Sequence, residues 1–161
     1  MNTITKTVLY VQVTAMFLTA ALAGPAAGKN QVPFRGSVQA VEAYEIDFPT
    51  MFVDTSGSGN ATHLGRFTVT WEFTVNLLTV EGIGSAHFIA ANGDSVFTES
   101  TATAGPTETL GINRVVETHT ITGGTGRFAG ATGSFTLERL VSTAGVTSGS
   151  FDGTIVLGKV K

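Results

Sequence analysis

The sequence predicts an all-β protein, an antiparallel barrel of seven to eight strands in meander order. Three observations predict it. From Phe67 to Leu77 the chain alternates without a break, with Phe67, Val69, Trp71, Phe73, Val75 and Leu77 on one side and Thr68, Thr70, Glu72, Thr74 and Asn76 on the other. A period of two marks a half-buried strand and leaves no helical reading. The chain also carries 20 glycines beside abundant Thr, Val and Phe, the composition of strands joined by tight turns. Finally, turn signals recur at short spacings, and no long segment shows a helical period. Closing such a sheet removes its exposed edges, which favours a barrel over a sandwich.

A length of 161 residues bounds the chain to one folded domain, large enough to bury a core without disulfides, and it contains no cysteine. Charged residues make up 13% and the net charge is −3, so no basic face is available for nucleic acid or anionic lipid. The first residues differ from the rest. Lys6 precedes a mostly apolar run from Val8 to Leu22, and Ala21-Leu-Ala23 places small residues where a signal peptidase reads. The run is short for a membrane anchor, contains Gln12 and ends in Gly24-Pro25 without a basic stop-transfer cluster. Residues 1–23 therefore read as a cleaved signal peptide, 24–33 as a short linker and 34–161 as a single barrel domain. A secreted or periplasmic location follows, with no membrane attachment after cleavage. Cleavage leaves all twelve acidic residues and eight of the nine basic ones.

Within the domain, Phe34 to Phe48 alternates, with Val38, Ala40, Tyr44, Ile46 and Phe48 on one face and Glu42 an exception among them. Pro49 limits this strand; Met51 to Val53 reads as a short edge piece and Asp54 to Asn60 as a flexible loop. Asn60-Ala-Thr62 matches a glycosylation sequon, a triplet common by chance. Phe67 to Leu77 follows as the centre of the core, where each large side chain contributes about 1.5–3 kcal/mol on full burial. Glu81-Gly82 reads as a turn and Ile83 to Ala91 as a strand. Asn92-Gly-Asp94 is a hairpin signal of type I′, and Ser95 to Thr103 returns antiparallel. After a loop at Ala104 to Thr107, strands are expected at Ile112 to Thr122, Ser134 to Thr143 and Gly149 to Leu157, the last two joined by a turn beginning at Ala144-Gly145.

The connection Thr122-Gly-Gly-Thr-Gly-Arg-Phe-Ala-Gly-Ala-Thr-Gly-Ser-Phe135 contains Gly124-x-Gly126-x-x-Ala129, which imitates a dinucleotide fingerprint. That fingerprint works only between a strand and a helix of a parallel unit, and here another strand follows too soon. The stretch reads instead as a compact connection, with one helical turn at Gly126 to Ala129 and Phe128 plugging the core or a barrel end. Arg66 and Arg127, each before a phenylalanine, read as strand-end packing features.

More informative are charges on apolar faces. Glu42 sits among Val38, Ala40, Tyr44 and Ile46; Glu117 and His119 alternate with Val115 and Ile121; Arg139 alternates with Phe135, Leu137 and Val141. If these faces point inward, the ions must pair, and Arg139 with Glu117 or Glu42 is the natural pairing. Such a group is either a structural ion pair or general acid and base beside an apolar pocket. Candidate lumen ligand-binding residues are Glu42, Tyr44, Trp71, Glu117, His119 and Arg139; no catalytic residue is assigned. His63, His87 and His119 lack ligand-spaced partners, so neither metal nor cofactor is expected. No Gly-x-Ser-x-Gly elbow is present between a strand and a helix.

The glycine-rich stretch from Thr122 to Phe135 resembles the signature of the allene oxide cyclase-like and dirigent-like barrel superfamily. Ala61-Thr-His-Leu-Gly-Arg-Phe-Thr68 and Ala91-Asn-Gly-Asp94 are similar to exported bacterial proteins with that signature whose role is uncharacterised. The resemblance implies an eight-stranded antiparallel barrel, often a homo-oligomer. One named branch cyclises an unstable fatty-acid epoxide, and the other steers the coupling of phenoxy radicals without oxidising them. Neither branch's working residues map onto this chain by motif, so neither activity carries over.

The expected function is that of an exported barrel that binds an apolar or amphipathic small molecule without turning it over. A cyclase or isomerase using the lumen groups is the alternative, and a structural or surface-interaction protein with a solid core is a further one. A filled core marks the scaffold, an apolar cavity the binder, and converging Glu42, Glu117 and Arg139 in a cavity the catalyst.

Overall fold

The computed structural model describes residues 31–158. The signal peptide read at residues 1–23 lies outside them. The chain forms eight antiparallel strands: β1 (Gln31–Asp47), β2 (Thr50–Ala61), β3 (Gly65–Asn76), β4 (Glu81–Ala90), β5 (Ser95–Pro106), β6 (Ile112–Gly124), β7 (Thr132–Ser142) and β8 (Val146–Val156). Each pairs with the next in sequence, and β8 pairs with β1 to close the barrel. One turn of 3₁₀ helix, Gly126–Phe128, interrupts the β6–β7 connection. This is the all-β meander barrel the alternation predicts.

Because neighbours are antiparallel, the connections fall at two ends of different character. At one end lie the β2–β3, β4–β5 and β6–β7 connections. Phe34, Leu64, Val96, Phe128, Ala131 and Ile155 seal it, none more than 1% exposed. Phe128 is thus the end plug expected from the glycine-rich stretch. Arg127 lies over its ring at 5.0 Å and reaches the Leu64 carbonyl at 3.3 Å, as expected for a packing residue. Above the plug stands an aromatic stack in which Phe135 contacts Phe34, Phe88 and Phe151 at ring-centroid distances of 5.4, 5.9 and 4.9 Å. At the opposite end, the mouth, the β1–β2, β3–β4, β5–β6 and β7–β8 turns carry exposed Phe48, Leu78, Val80 and Leu110.

Several expectations need correction. Asp54 to Asn60 is not a flexible loop but the body of β2, paired along its length with β1 and β3. Its glycines are closely approached: a Cβ at Gly59 would lie 2.5 Å from Phe67 Cζ and collide with the Ser37 carbonyl, and one at Gly57 would meet Ala40. Glycine here makes room for the β3 aromatics, so its presence in a strand reflects close approach. Ala104 to Pro106 likewise continue β5 rather than forming a loop. The β3–β4 turn is Leu77 to Val80, with Val80 at φ 59°, and Glu81-Gly82 already belong to β4. Strand β1 already includes Gln31 to Pro33, inside the segment read as linker.

The Asn92-Gly-Asp94 hairpin forms, but not as type I′. Only Gly93 has positive φ (87°), and Gly93 N donates to Ala90 O at 2.9 Å while Ala90 N donates to Asp94 O at 2.8 Å. That is the longer hairpin loop, a type I turn followed by glycine in the left-handed region.

An ionic layer inside the barrel as candidate functional site

Four strands, β6, β7, β8 and β1, bring the charged groups of the site together. On β6, Glu117 and His119 are two residues apart and so share the inner face. On β7, Arg139 pairs with Val115 and lies diagonal to Glu117, within reach of a long side chain. Opposite Arg139 on β8 stands Gly149, where a Cβ would come within 2.5 Å of Arg139 Cβ. With no side chain there, the guanidinium crosses β8 and meets Glu42 on β1. Thr147 of β8 completes the set.

The bonds form one continuous chain. Arg139 Nε donates to Glu117 Oε1 at 2.5 Å; its Nη1 donates to Glu42 Oε1 and, at 3.1 Å, to Thr147 Oγ1. Thr147 in turn donates to the Leu140 carbonyl at 2.9 Å. The other Glu117 oxygen, Oε2, faces His119 Nε2 at 2.9 Å, and His119 Nδ1 faces Thr98 Oγ1 at 3.0 Å. His119 lies flat on Phe135, centroids 4.6 Å apart and planes 7° from parallel, so the ionic layer rests on the aromatic stack. The Arg139 guanidinium sits 5.6 Å from the Trp71 ring centroid. Toward the mouth, Val53, Phe73, Val115 and Val141 form an apolar layer above the ions.

The two carboxylates differ. Burial pushes the Glu117 carboxyl up, but the His119 hydrogen bond and the Arg139 charge together outweigh it and hold the group below the usual carboxylate range. For Glu42 burial wins: it lies above the usual range despite Arg139, and the Glu117 charge adds to the effect. Burial also raises Tyr44, with the Glu42 charge contributing in the same direction.

Of the six residues predicted to line the lumen, Glu42, Trp71, Glu117, His119 and Arg139 stand in or against this layer. Tyr44 does not. It continues the inner face of β1 but lies beyond the closed part of the barrel, 44% exposed at the mouth. Ile46 is exposed for the same reason, since β1 outruns the layer it serves, and exposed Phe48 lies past its end in the β1–β2 turn. The alternation along β1 is right about side and blind to depth.

Sequence reasoning missed the neutral polar members of the layer. Thr55 fell in the segment read as loop, and Thr98 and Ser100 lie on a strand whose inner face, Val96-x-Thr98-x-Ser100-x-Ala102, is legible only as alternation. Thr55 pairs with both Glu42 and Trp71, and Ser100 pairs with His119. Three buried polar atoms in this set have no hydrogen-bond partner among the described residues: Thr55 Oγ1, Trp71 Nε1 and Ser100 Oγ. An unpartnered buried polar atom costs about 1–3 kcal/mol, and each such atom in a folded protein calls for a reason.

Among the described residues no three His, Cys, Asp or Glu side chains come together as a metal-ligand set. Two surface concavities lie on the outer wall, one spanning β1 to β4 and β6 to β8, the other β2 to β6. Arg139 borders the first, and Val53, Phe73 and Ser100 border the second, but neither is lined by Glu42, Trp71, Glu117 or His119. No protein-family model matches the chain, and no curated protein matches it.

Proposed function

We propose that the protein is an exported barrel that binds an amphipathic small molecule at its mouth without turning it over. The observation that carries this is the set of unpartnered polar atoms, Trp71 Nε1, Thr55 Oγ1 and Ser100 Oγ, in one layer between an aromatic floor and an apolar mouth. A polar head seated in that layer satisfies them, while its apolar part lies among Val53, Phe73, Val115 and Val141. The exposed Tyr44, Ile46 and Phe48 extend the apolar surface outward from the same end. The outer face of β3 is polar, with Thr68, Thr70, Glu72 and Thr74, while single apolar side chains such as Phe52, Ile83 and Leu140 are exposed on other strands. The signal-like first 23 residues support export, and the superfamily resemblance supports the barrel fold.

Native mass spectrometry of the protein purified from the organism that makes it tests this reading. The expected result is a co-purifying small molecule, released on denaturation. Trp71, the single tryptophan, reports the same event as a shift in emission when an amphiphile is added. No bound species and an unmoved Trp71 emission would leave a structural barrel.

The catalytic alternative narrows to one group. Glu117 has both oxygens engaged and His119 both nitrogens, whereas Arg139 and its partners take only one oxygen of Glu42 among the described residues. A Glu42 lifted above the usual carboxylate range is the acid–base candidate of the layer. Turnover of a bound ligand abolished by Glu42→Gln, with binding retained, is the result that would replace the binding reading.

A further inference from the structure

The layer also indicates what kind of polar head it takes. Resting on the binding reading above, we infer that the ligand presents an uncharged hydrogen-bond acceptor, a hydroxyl or carbonyl oxygen, rather than a carboxylate or an ammonium group.

Two observations carry this. The first is charge. The guanidinium in the layer is already matched: Arg139 lies between Glu42 and Glu117, and His119 is engaged by Glu117. Among the described residues the layer holds no uncompensated cation, so an anionic head would bring an unpaired charge into a desolvated layer that already holds two carboxylates. The second is donor capacity. Trp71 Nε1 is donor-only, so whatever satisfies it must accept a hydrogen bond. An ammonium head would be welcome to the carboxylates but would leave the indole N–H unmet. A neutral oxygen meets both conditions, accepting from Trp71 and exchanging hydrogen bonds with the Thr55 and Ser100 hydroxyls, which can donate or accept.

The apolar surroundings then require the rest of the molecule to be hydrocarbon-like. Discrimination of this kind, by buried groups that must be paired, is stronger than discrimination by shape alone in an apolar pocket. The head is selected by what the layer cannot leave unsatisfied.

The test compares decanol, decanoate and decylamine, which share a tail and differ in head, at neutral pH against the full protein. Native mass spectrometry and calorimetry read binding without depending on fluorescence. The expected order is decanol bound, with decanoate and decylamine at least about tenfold weaker. Trp71→Phe keeps the ring and removes the donor, and is expected to weaken decanol about tenfold. If that variant fails to fold, Thr55→Val supplies the second probe, with a smaller loss in the same direction. Decanoate or decylamine binding as tightly as decanol, or decanol indifferent to both substitutions, overturns the assignment of the head while leaving the binding reading in place. If none of the three binds, the binding reading itself fails for ligands of this size and this inference falls with it.

Discussion

Arg139 on β7 and Glu117 on β6 meet with Nε and Oε1 2.5 Å apart inside the barrel, their side chains 4% and 0% exposed. Arg139 also holds Glu42, so one guanidinium neutralises carboxylates from two strands. Removing it strands both. Arg139→Met is expected to destabilise the fold by about 3–5 kcal/mol, the cost of a broken buried pair. Glu117→Gln keeps the shape and leaves Arg139 matched by Glu42, so it is expected to cost less, about 1–3 kcal/mol. Urea denaturation midpoints check the order. Equal losses from the two variants would mean that Glu42 does not share the guanidinium.

The same two carboxylates give stability opposite slopes with pH. Glu117 lies below its unfolded value, so its contribution is present above the ordinary glutamate range and is lost as pH falls through its folded value. Glu42 lies above its unfolded value, so the folded state holds that proton more tightly. Its contribution is full below the unfolded value and declines as pH rises through the folded one. Stability is therefore expected to rise with pH below about 4.3, the ordinary glutamate value, and to fall above it as Glu42 ionises. Glu42→Gln should flatten the falling limb and leave the rising one. Thermal midpoints across acid to neutral pH measure both limbs. A falling limb that survives in Glu42→Gln assigns it to another group.

How much of this was legible follows from what alternation can carry. The inward faces of β3, β6 and β7 are written as large apolar residues every second position, so an ion interrupting them is conspicuous, and Arg139 with Glu117 could be paired in advance. Strand β2 carries Thr55, Gly57 and Gly59 at successive inner positions, which read locally as a loop because the small size of the glycines answers to Phe67 and Ala40 on neighbouring strands. Depth was illegible for a related reason. Tyr44 and Ala40 share a face, but only the β1–β8 register, which ends at Val41↔Val146, shows where one side of the barrel stops.

That reading of β2 makes its own prediction. At Gly59 an added Cβ would collide with the Ser37 carbonyl and press on Phe67, backbone on one side and a buried ring on the other. Gly59→Ala is expected to destabilise by about 1–3 kcal/mol, the usual cost of overpacking. Gly93→Ala meets nothing within 4 Å, so any loss there comes from its φ of 87° alone. Denaturation curves of both variants separate crowding from backbone strain. A Gly59→Ala protein as stable as the parent would return the segment to a loop.

The two ends of the barrel should also be separable. Phe128 is fully buried at the sealed end, while Trp71 and Arg139 stand in the ionic layer toward the mouth. Phe128→Ala opens a cavity under the aromatic stack and is expected to cost about 3–5 kcal/mol. It removes no partner of the ionic layer, so the native emission of Trp71 should be unchanged, whereas Arg139→Met, which takes the cation from beside the indole, should shift it. Emission spectra recorded well below each variant's unfolding transition make the comparison. A Phe128→Ala shift as large as that of Arg139→Met would show that the plug and the ionic layer act as one packed unit, because strain from the cavity would then reach Trp71 through the core cluster both belong to.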